Sequence, residues 1–298
     1  MEVLEFILSV IVNGLSQGGI YAMIAIGYTM VYGIAKLLNF AHGDIIMVAA
    51  YTIIVTVNTS MPIGVSLPLS ILLSIVICVL LGVAIEKVAY KPLRGASPLA
   101  VLITAIGVSY LLQSIAQIIF GTAPKMTAKL DLGAFKLFGV PVKFSAIITL
   151  VITVLVMVGL TMFVKKSRTG RAMVAVSEDR GAAQLMGINV NKIITITFII
   201  GSALAALAGF CSIIEAPSVT STFGSMPGIK AFTAAVIGGI GSIPGAMLGG
   251  IMLGIVECIA NKIPAIAPYT DAIEFSILII ILLVKPTGFL GKKRREKV

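Results

Sequence analysis

The chain has 298 residues, of which 58% are hydrophobic and 11% are charged, and its mean hydropathy is +1.12. Soluble globular domains contain about 25% charged residues, so this composition excludes a soluble protein and indicates a polytopic membrane protein. The net charge of +10 does not indicate nucleic-acid binding, because the basic residues lie between apolar runs rather than over a soluble face. We expect an all-α fold with one transmembrane domain over residues 1–298 and about eight membrane-spanning segments.

The first apolar segment covers residues 6–34, which is long enough to cross a bilayer. The sequence NGLSQGG at residues 13–19 interrupts it, so the segment is either one long span or two short ones. The two alternatives place Met1 on opposite sides of the membrane. We favour one span, with Met1 outside.

A polar stretch, YGIAKLLNFAHGDIIM, follows the first segment and contains Lys36. It is either a cytoplasmic turn, which Lys36 favours, or a break within a membrane segment. Breaks of this kind expose helix ends and backbone groups to a polar substrate. Under the second interpretation the translocation path includes Asn39, His42, Gly43 and Asp44.

Five further apolar runs have the length and low charge of membrane-spanning helices. They cover residues 63–85, 98–120, 144–164, 193–214 and 270–284. Basic residues are concentrated after the first run, between the third and fourth runs, and after the last run. These are Lys87, Lys91, Arg94, Lys165, Lys166, Arg168, Arg171, Arg180, Lys192, Lys285, Lys292, Lys293, Arg294, Arg295 and Lys297. The positive-inside rule places all three regions, including a basic tail at 285–298, in the cytoplasm.

A single crossing by the apolar run 231–257 would place the basic tail outside, against the positive-inside rule. The tail is cytoplasmic only if this run, AFTAAVIGGIGSIPGAMLGGIMLGIVE, returns to the side of the membrane where it began or crosses the membrane as two short helices. Glycines and a proline at its centre predict the break, and we expect the helix to unwind at Ile243, before Pro244. Unwound backbone at membrane depth lines a cavity or is buried in protein. The path candidates here are Gly239, Gly241, Ser242 and Pro244.

The four-residue spacing of Gly241, Gly245 and Gly249, and of Gly250 and Gly254, has a second interpretation. Small residues at this spacing let helix backbones approach closely in lipid. Packing and a pore-lining role are equally compatible with the sequence.

No catalytic or cofactor motif accompanies these segments. The sequence lacks a phosphate-binding loop of the form GxxxxGK[ST], and it lacks HExxH and GxSxG. Its three cysteines, Cys78, Cys211 and Cys258, lie at unrelated spacings in apolar segments, so we expect packing residues rather than disulfides or a metal site. We therefore predict no catalytic residues, no metal and no cofactor bound by this chain. The scarcity of acidic groups within the spans also disfavours an ion-coupled carrier.

The stretch SEDRGAAQLMGINVN at residues 177–191 predicts one short helix within a cytoplasmic loop at about 165–192. Ser177 would cap it, Glu178 and Asp179 match the positive end of a helix, and Gly187 would stop it. We expect an apolar ridge beside Arg180, formed by Ala182, Ala183, Leu185 and Met186. The ridge would bind either a groove on a partner protein or lipid headgroups.

Residues 171–191, the following sequence FIIGSALAALAGF and the two stretches that contain Asn39 and Gly239 together resemble the permeases of branched-chain amino acid ABC transporters, the LivH-like group. The resemblance spans nearly the whole chain. It implies an ABC importer permease in the cytoplasmic (inner) membrane, with its C-terminus inside. The implied substrates are leucine, isoleucine and valine, with urea, other amides or other amino acids as the alternative.

The same resemblance implies a second related permease, two ATPase subunits that use ATP and magnesium, and an extracytoplasmic substrate-binding protein. In such importers a cytoplasmic loop of the form EAAxxxG docks on the ATPase. Here Gly181 stands where glutamate is usual, before Ala182, Ala183 and Gly187. Glu178, Asp179 or Arg180 would then supply the polar contact. A self-contained secondary carrier or channel is the alternative class.

The loop at 121–143 lies on the extracytoplasmic side of the membrane in this topology. We consider it either a docking surface for the binding protein or a plain solvated loop. Its charged residues are Lys125, Lys129, Asp131, Lys136 and Lys143.

Overall fold

The computed structural model describes residues 2–37, 39–59, 61–130, 133–137 and 140–291, and Asp131 and the basic residues at 292–298 lie outside these ranges. The described helices are α1 (Glu2–Ala35), α2 (His42–Val57), α3 (Ile63–Ile85), α4 (Pro98–Phe120), α5 (Phe144–Lys166), α6 (Arg168–Glu178), α7 (Arg180–Leu185), α8 (Val190–Glu215), α9 (Ser225–Gly238), α10 (Ile243–Lys262) and α11 (Thr270–Val284). The described strands are β1 (Lys125–Met126), β2 (Ala134–Leu137), β3 (Val140–Lys143) and β4 (Ser218–Val219).

Seven helices among the described residues are long and apolar enough to cross a membrane. All five apolar runs that were predicted from hydropathy are confirmed, as α3, α4, α5, α8 and α11. The first segment is one continuous helix through residues 13–19, which confirms a single helix rather than two short ones; the placement of Met1 outside stays a prediction. The helix α2 has only 16 residues and falls below the length of a full span. The protein is a multi-pass membrane protein.

The chain divides into two compact units. The first unit comprises Met1–Thr29, Gly133–Thr161 and Lys230–Val298, and the second comprises Met30–Leu132 and Met162–Ile229. In the second unit, α2, α3 and α8 pack together. A Cβ atom at Gly82 would overlap the Ser202 side chain, and one at Gly209 would lie 2.8 Å from the Ala49 Cβ. These small residues let the backbones of the three helices approach closely.

In the first unit, the glycines of α10 pack against two other helices. Cβ atoms at Gly250 and Gly254 would overlap the α1 backbone at Ala22 and Gly18, and one at Gly249 would overlap the α9 backbone at Ala234. Helix packing therefore explains these glycines. The strands β2 and β3 form a hairpin in this unit, whereas β1 pairs with β4 in the second unit.

The predicted break within residues 231–257 is confirmed, and it separates α9 from α10 at residues 239–242. Both Gly239 (φ 101°) and Gly241 (φ 97°) have left-handed backbone conformations that only glycine adopts readily. The Ser242 hydroxyl caps α10 by accepting a hydrogen bond from the Gly245 amide at 3.2 Å. The prediction that Ile243 is unwound is wrong, because Ile243 begins α10 and Pro244 is tolerated in the first turn.

The segment after α11 folds back onto this break. The amides of Phe289 and Leu290 donate to the carbonyls of Ile237 and Gly238, each at 2.9 Å. A Cβ atom at Gly239 would overlap the Gly291 backbone. The end of the described chain and the α9–α10 turn are therefore in direct contact.

Candidate functional site

The helix α7 carries most of the predicted coupling residues, but its start differs from the prediction. The side chain of Asp179 accepts a hydrogen bond from the Ala182 amide at 3.0 Å and caps the helix. Ser177 lies instead in the last turn of α6, where its hydroxyl donates to the Val174 carbonyl at 2.7 Å. The prediction that Ser177 is the cap is wrong, because a second helix occupies that position and Asp179 supplies an equivalent acceptor.

The end of α7 agrees with the prediction. Gly187 has a φ of 78°, its amide donates to the Gln184 carbonyl at 2.9 Å, and the Ile188 amide donates to the Ala183 carbonyl at 3.0 Å. This pair of bonds is a Schellman motif. The role of Gly187 as the helix stop is confirmed.

The apolar residues of α7 and its cap do not form one continuous ridge. Leu185 and Met186 are 91% and 82% exposed, whereas Ala183 is only 4% exposed. Ala182 is exposed on the same short helix. The predicted ridge is therefore wrong for Ala183, because a helix of six residues turns that side chain inward. The large exposed apolar side chains of this helix and its cap are Leu185 and Met186, which we call the α7 tip.

The polar residues of this loop have different roles. The Arg180 guanidinium donates to the Ala35 carbonyl at the end of α1, and burial, followed by the charge of Arg94, lowers its pKa. Glu178 is exposed. Gly181 is also exposed, and a Cβ atom there would meet only an Asp179 oxygen, at 3.4 Å. Asp179 therefore caps α7, Arg180 anchors the loop, and position 181 has room for a side chain.

A second anchor involves an ion pair that the sequence analysis did not identify. Arg94 pairs with Glu86 and donates to the Asn191 side chain at the start of α8. Glu86 is 1% exposed and also accepts from the Thr195 hydroxyl at 3.0 Å. A buried carboxylate with a charged and a neutral partner is well compensated. This pair holds the π-helical turn Glu86–Tyr90, which follows α3, against α8.

The path candidates of the second unit are all buried. Asn39 accepts a hydrogen bond from the Tyr90 hydroxyl at 3.0 Å, and Asp44 accepts one from Gln113 Nε2 at 2.9 Å. His42 and Gly43 are also buried at the start of α2. A Cβ atom at Gly43 would overlap the Gly224 carbonyl, so the backbones of residues 43 and 224 touch. Helix α1 ends at Ala35, before this stretch.

The path candidates of the first unit are less uniform. Gly239 is buried against residues 287–291, whereas Gly241 and Pro244 are exposed and no atom would lie within 4 Å of a Cβ at Gly241. Ser242 is the α10 cap. A path-lining role for Gly239, Gly241, Ser242 and Pro244 stays a prediction, as it does for the residues around Asp44.

The largest feature that sequence reasoning missed is an ion cluster on α9, α10 and α11, which we call the Lys230 cluster. The Lys230 ammonium lies 2.7 Å from Glu257, 2.8 Å from Asp271 and 3.3 Å from Glu274. Glu274 is fully buried and Lys230 is 8% exposed. The sequence signal was a lysine directly before the apolar run 231–257, together with three acids at or near the ends of the runs 231–257 and 270–284.

The second missed feature is a set of hydrogen bonds on α4. Gln113 Nε2 lies 2.9 Å from Asp44 Oδ1, 3.1 Å from Ser109 Oγ and 3.2 Å from Ser225 Oγ. One turn later, Gln117 Nε2 donates to Ser221 Oγ at 3.1 Å. The signal was a face with Ser109, Gln113 and Gln117 at four-residue intervals within an apolar span.

The loop at 121–143 contains one internal anchor. Lys129 Nζ donates to the Val57 and Thr59 carbonyls at 2.9 and 2.7 Å, so this lysine caps α2. Lys125, Lys136 and Lys143 are exposed. A docking role for this loop stays a prediction.

A sequence profile of the family described as branched-chain amino acid transport system / permease component matches residues 10–282. The chain belongs to this permease family. Over 97% of both chains it is 44% identical to the high-affinity branched-chain amino acid transport system permease protein BraD of Pseudomonas aeruginosa. It is 42% identical to the corresponding permease protein LivH of Escherichia coli strain K12, over 96% of both chains.

The permease also matches a solved structure, PsaBC from Streptococcus pneumoniae in complex with Fab, with a TM-score of 0.51 and 12% identity. That match covers 96% of this chain and 97% of the other, and it supports the fold alone. Family membership confirms the predicted resemblance and the assignment as a transport subunit of an ABC importer rather than an enzyme. It also implies ATPase and substrate-binding partners for this permease.

Proposed function

We propose that this permease forms the translocation path of an ATP-driven importer for leucine, isoleucine and valine. The observation that carries the proposal is its similarity, over nearly the whole chain, to relatives that are named as permeases for branched-chain amino acids. The complex contains a second related permease, two ATPase subunits and an extracytoplasmic binding protein. It lies in the cytoplasmic membrane, with the C-terminus of this chain inside. ATP and magnesium are used by the partner subunits.

Reconstitution of the complex in proteoliposomes tests this proposal. We expect uptake of labelled leucine that requires both the ATPase subunits and ATP, and competition by isoleucine and valine but not by urea. A complex without the ATPase subunits is the control. Leucine uptake by this chain alone, driven by an ion gradient, would contradict the proposal, and so would a binding protein that prefers urea or an amide.

The α7 tip supports the coupling part of the proposal. Leu185 and Met186 are two large apolar side chains at the end of a capped, anchored helix in the basic loop at 165–192. Exposed apolar patches on otherwise polar surfaces commonly mark binding sites. We therefore assign the tip to a groove on the ATPase subunit. In this assignment Arg180 anchors the loop and Asp179 caps α7.

A double substitution, Leu185→Ser with Met186→Ser, tests this contact. Both side chains are exposed, so we expect the thermal stability of the permease to change by less than about 0.5 kcal/mol. Co-purification of the ATPase, or ATP-driven uptake, should fall by about tenfold or more, as for a truncated apolar anchor. Ala183→Asp is a poorer test because Ala183 is buried, and a charge there would also disturb the loop.

Val174→Ser is the matched control for the double substitution. Val174 is an exposed apolar residue of α6 in the same loop, and we expect its replacement to leave uptake unchanged. Equal losses in the control and the double variant would show that the loop surface as a whole, rather than the α7 tip, determines docking.

A further inference from the structure

The carboxylate of Asp44 is buried, and no described residue supplies a countercharge to it. Asp44 is 2% exposed, its Oδ1 accepts from Gln113, and its Oδ2 has no hydrogen-bond partner. Within the described part of the chain, the ion pairs join Arg94 to Glu86 and Lys230 to its three acids, and none reaches Asp44. An ionised carboxylate in such a position is costly unless a cation approaches it.

The position of Gln113 places this carboxylate within the membrane-spanning region. Gln113 lies on α4 about 22 Å along the helix from Pro98 and about 10 Å from Phe120, at 1.5 Å per residue. An ionisable residue at such a depth is a functional-site hypothesis by default. Two turns further along both helices, Tyr51 stacks on Phe120 with ring centroids 4.2 Å apart. This aromatic pair bounds the polar groups on one side.

The groups around Asp44 are oriented by close backbone contact. The backbones of Gly43 and Gly224 touch, because a Cβ atom on either would overlap the carbonyl of the other. Asp44 and Ser225 each follow one of these glycines, so the contact fixes their side chains close together. Gln113 then bonds to both. The result is a preorganised set of one carboxylate and two hydroxyl oxygens, those of Ser109 and Ser225.

These acceptor oxygens suit an ammonium group better than a calcium ion. An ammonium group has a positive charge and three N–H donors, which match the Asp44 Oδ2 atom and the hydroxyl oxygens of Ser109 and Ser225. A calcium ion needs six to eight oxygen ligands, and no group of three or more histidine, cysteine or acidic side chains among the described residues could hold a metal. The site therefore fits a primary amine cation.

Building on the proposed function, we propose that Asp44, assisted by Gln113, Ser109 and Ser225, binds the α-ammonium group of the amino acid during transport. Asp44 is then a substrate-binding residue, and Gln113 positions its carboxylate. The ammonium group supplies the countercharge that the described residues do not provide at this position. Recognition through the ammonium group selects amino acids over amides and sugars, which lack a cationic amine.

Asp44→Asn tests this proposal because it removes the charge and keeps the acceptor for Gln113. We expect ATP-driven leucine uptake by the assembled complex to fall about 10- to 100-fold, the effect of losing a charge-assisted hydrogen bond. The melting temperature of the purified variant without ligand should equal or exceed that of the wild type, because a buried charge is gone. A drop in melting temperature with loss of complex assembly would show a structural role and overturn the proposal.

Ligand probes separate the ammonium group from the rest of the substrate. The purified wild-type permease should be stabilised against heat by leucine and by isoamylamine, but not by 4-methylpentanoate, which lacks the amine. The Asp44→Asn variant should respond to none of them. Ser221→Ala is the matched control, because it removes the Gln117 contact one turn away, and it should respond like the wild type.

These experiments distinguish failure of the ammonium assignment from failure of the proposed function. Equal stabilisation by 4-methylpentanoate, or by sodium chloride at the same concentration, would overturn the ammonium assignment. Wild-type uptake by the Asp44→Asn complex would overturn it as well, while leaving the proposed function intact. If the wild-type complex imports a substrate other than a branched-chain amino acid, the substrate assignment of the proposed function fails first.

Discussion

The Lys230 cluster and the surroundings of Asp44 are two solutions to the same problem, a buried carboxylate in a membrane protein. In the Lys230 cluster, one ammonium group lies within 3.3 Å of three carboxylates from two other helices. Around Asp44, the described residues supply only neutral donors. The first arrangement contains its own cation and joins helices. The second contains no cation among the described residues, which agrees with the proposed ammonium ligand.

The comparison shows that burial alone does not distinguish a structural charge from a functional one. Glu274 is fully buried, as Asp44 nearly is, yet Glu274 lies within ion-pair distance of a lysine. Removing one partner of a buried ion pair leaves an uncompensated charge, whereas removing an uncompensated charge relieves a cost. The two regions should therefore respond to substitution in opposite directions.

Lys230→Met should have the largest effect on stability. It leaves the Glu257 and Glu274 carboxylates without their cation, and loss of one partner of a buried pair costs about 3–5 kcal/mol. We expect a large fall in the thermal unfolding midpoint of the purified permease, or failure to accumulate in the membrane. Lys192→Met, at an exposed lysine, is the matched control and should have little effect.

A double variant sharpens this result. Adding Glu274→Leu to Lys230→Met removes the most deeply buried of the three acids, and part of the lost stability should return. If the double variant is less stable than Lys230→Met, the cluster does not act through charge compensation.

Gln113→Leu should have an intermediate effect. It removes the donor to Asp44 and Ser225, and leaving a buried acceptor unsatisfied costs about 1–3 kcal/mol. Thermal unfolding should show a lower midpoint for this variant than for Asp44→Asn. Gln117→Leu, which loses only the Ser221 contact, should be less affected. Equal unfolding midpoints for all three variants would contradict the expectation that loss of Gln113 destabilises the protein more than loss of the Asp44 charge or of Gln117.

Gly181→Glu should have the smallest effect on stability. The position is exposed and has room for a side chain, and glutamate favours a helix over glycine by up to about 1 kcal/mol. We expect unchanged or slightly higher thermal stability, and uptake at or above the wild-type level. Reduced uptake without loss of stability would show that the ATPase surface requires glycine at this position.

Much of this architecture follows from hydropathy. Long apolar runs with few charges have one stable form in a bilayer, so the bounds of α3, α4 and α11 agree with the predicted runs. The break before α10 was also predictable, because glycines and a proline locally disfavour a helix. The helix stop at Gly187 belongs to the same class of local signal.

Tertiary contacts account for what the sequence did not predict. Lys230 and its partners are separated by 27 to 44 positions, and no local pattern joins them. Ser177 and Asp179 are both good caps, and packing rather than composition decided between them. Ala183 was assigned to an exposed ridge because the orientation of so short a helix depends on its neighbours. The sequence shows Gln113 and Gln117 on one face of α4, but no local pattern identifies their partners Asp44, Ser225 and Ser221.

The contact between Gly239 and Gly291 also fixes the relative direction of three helices. Because the segment after α11 touches the α9–α10 turn, we expect both to lie at the same face of the membrane. Helices α9 and α11 therefore run towards that face and α10 runs away from it. A cysteine label at Gly241 and an epitope tag after residue 298 should be accessible from the same side of a sealed vesicle, so one measurement of sidedness orients the whole carboxy-terminal third of the permease.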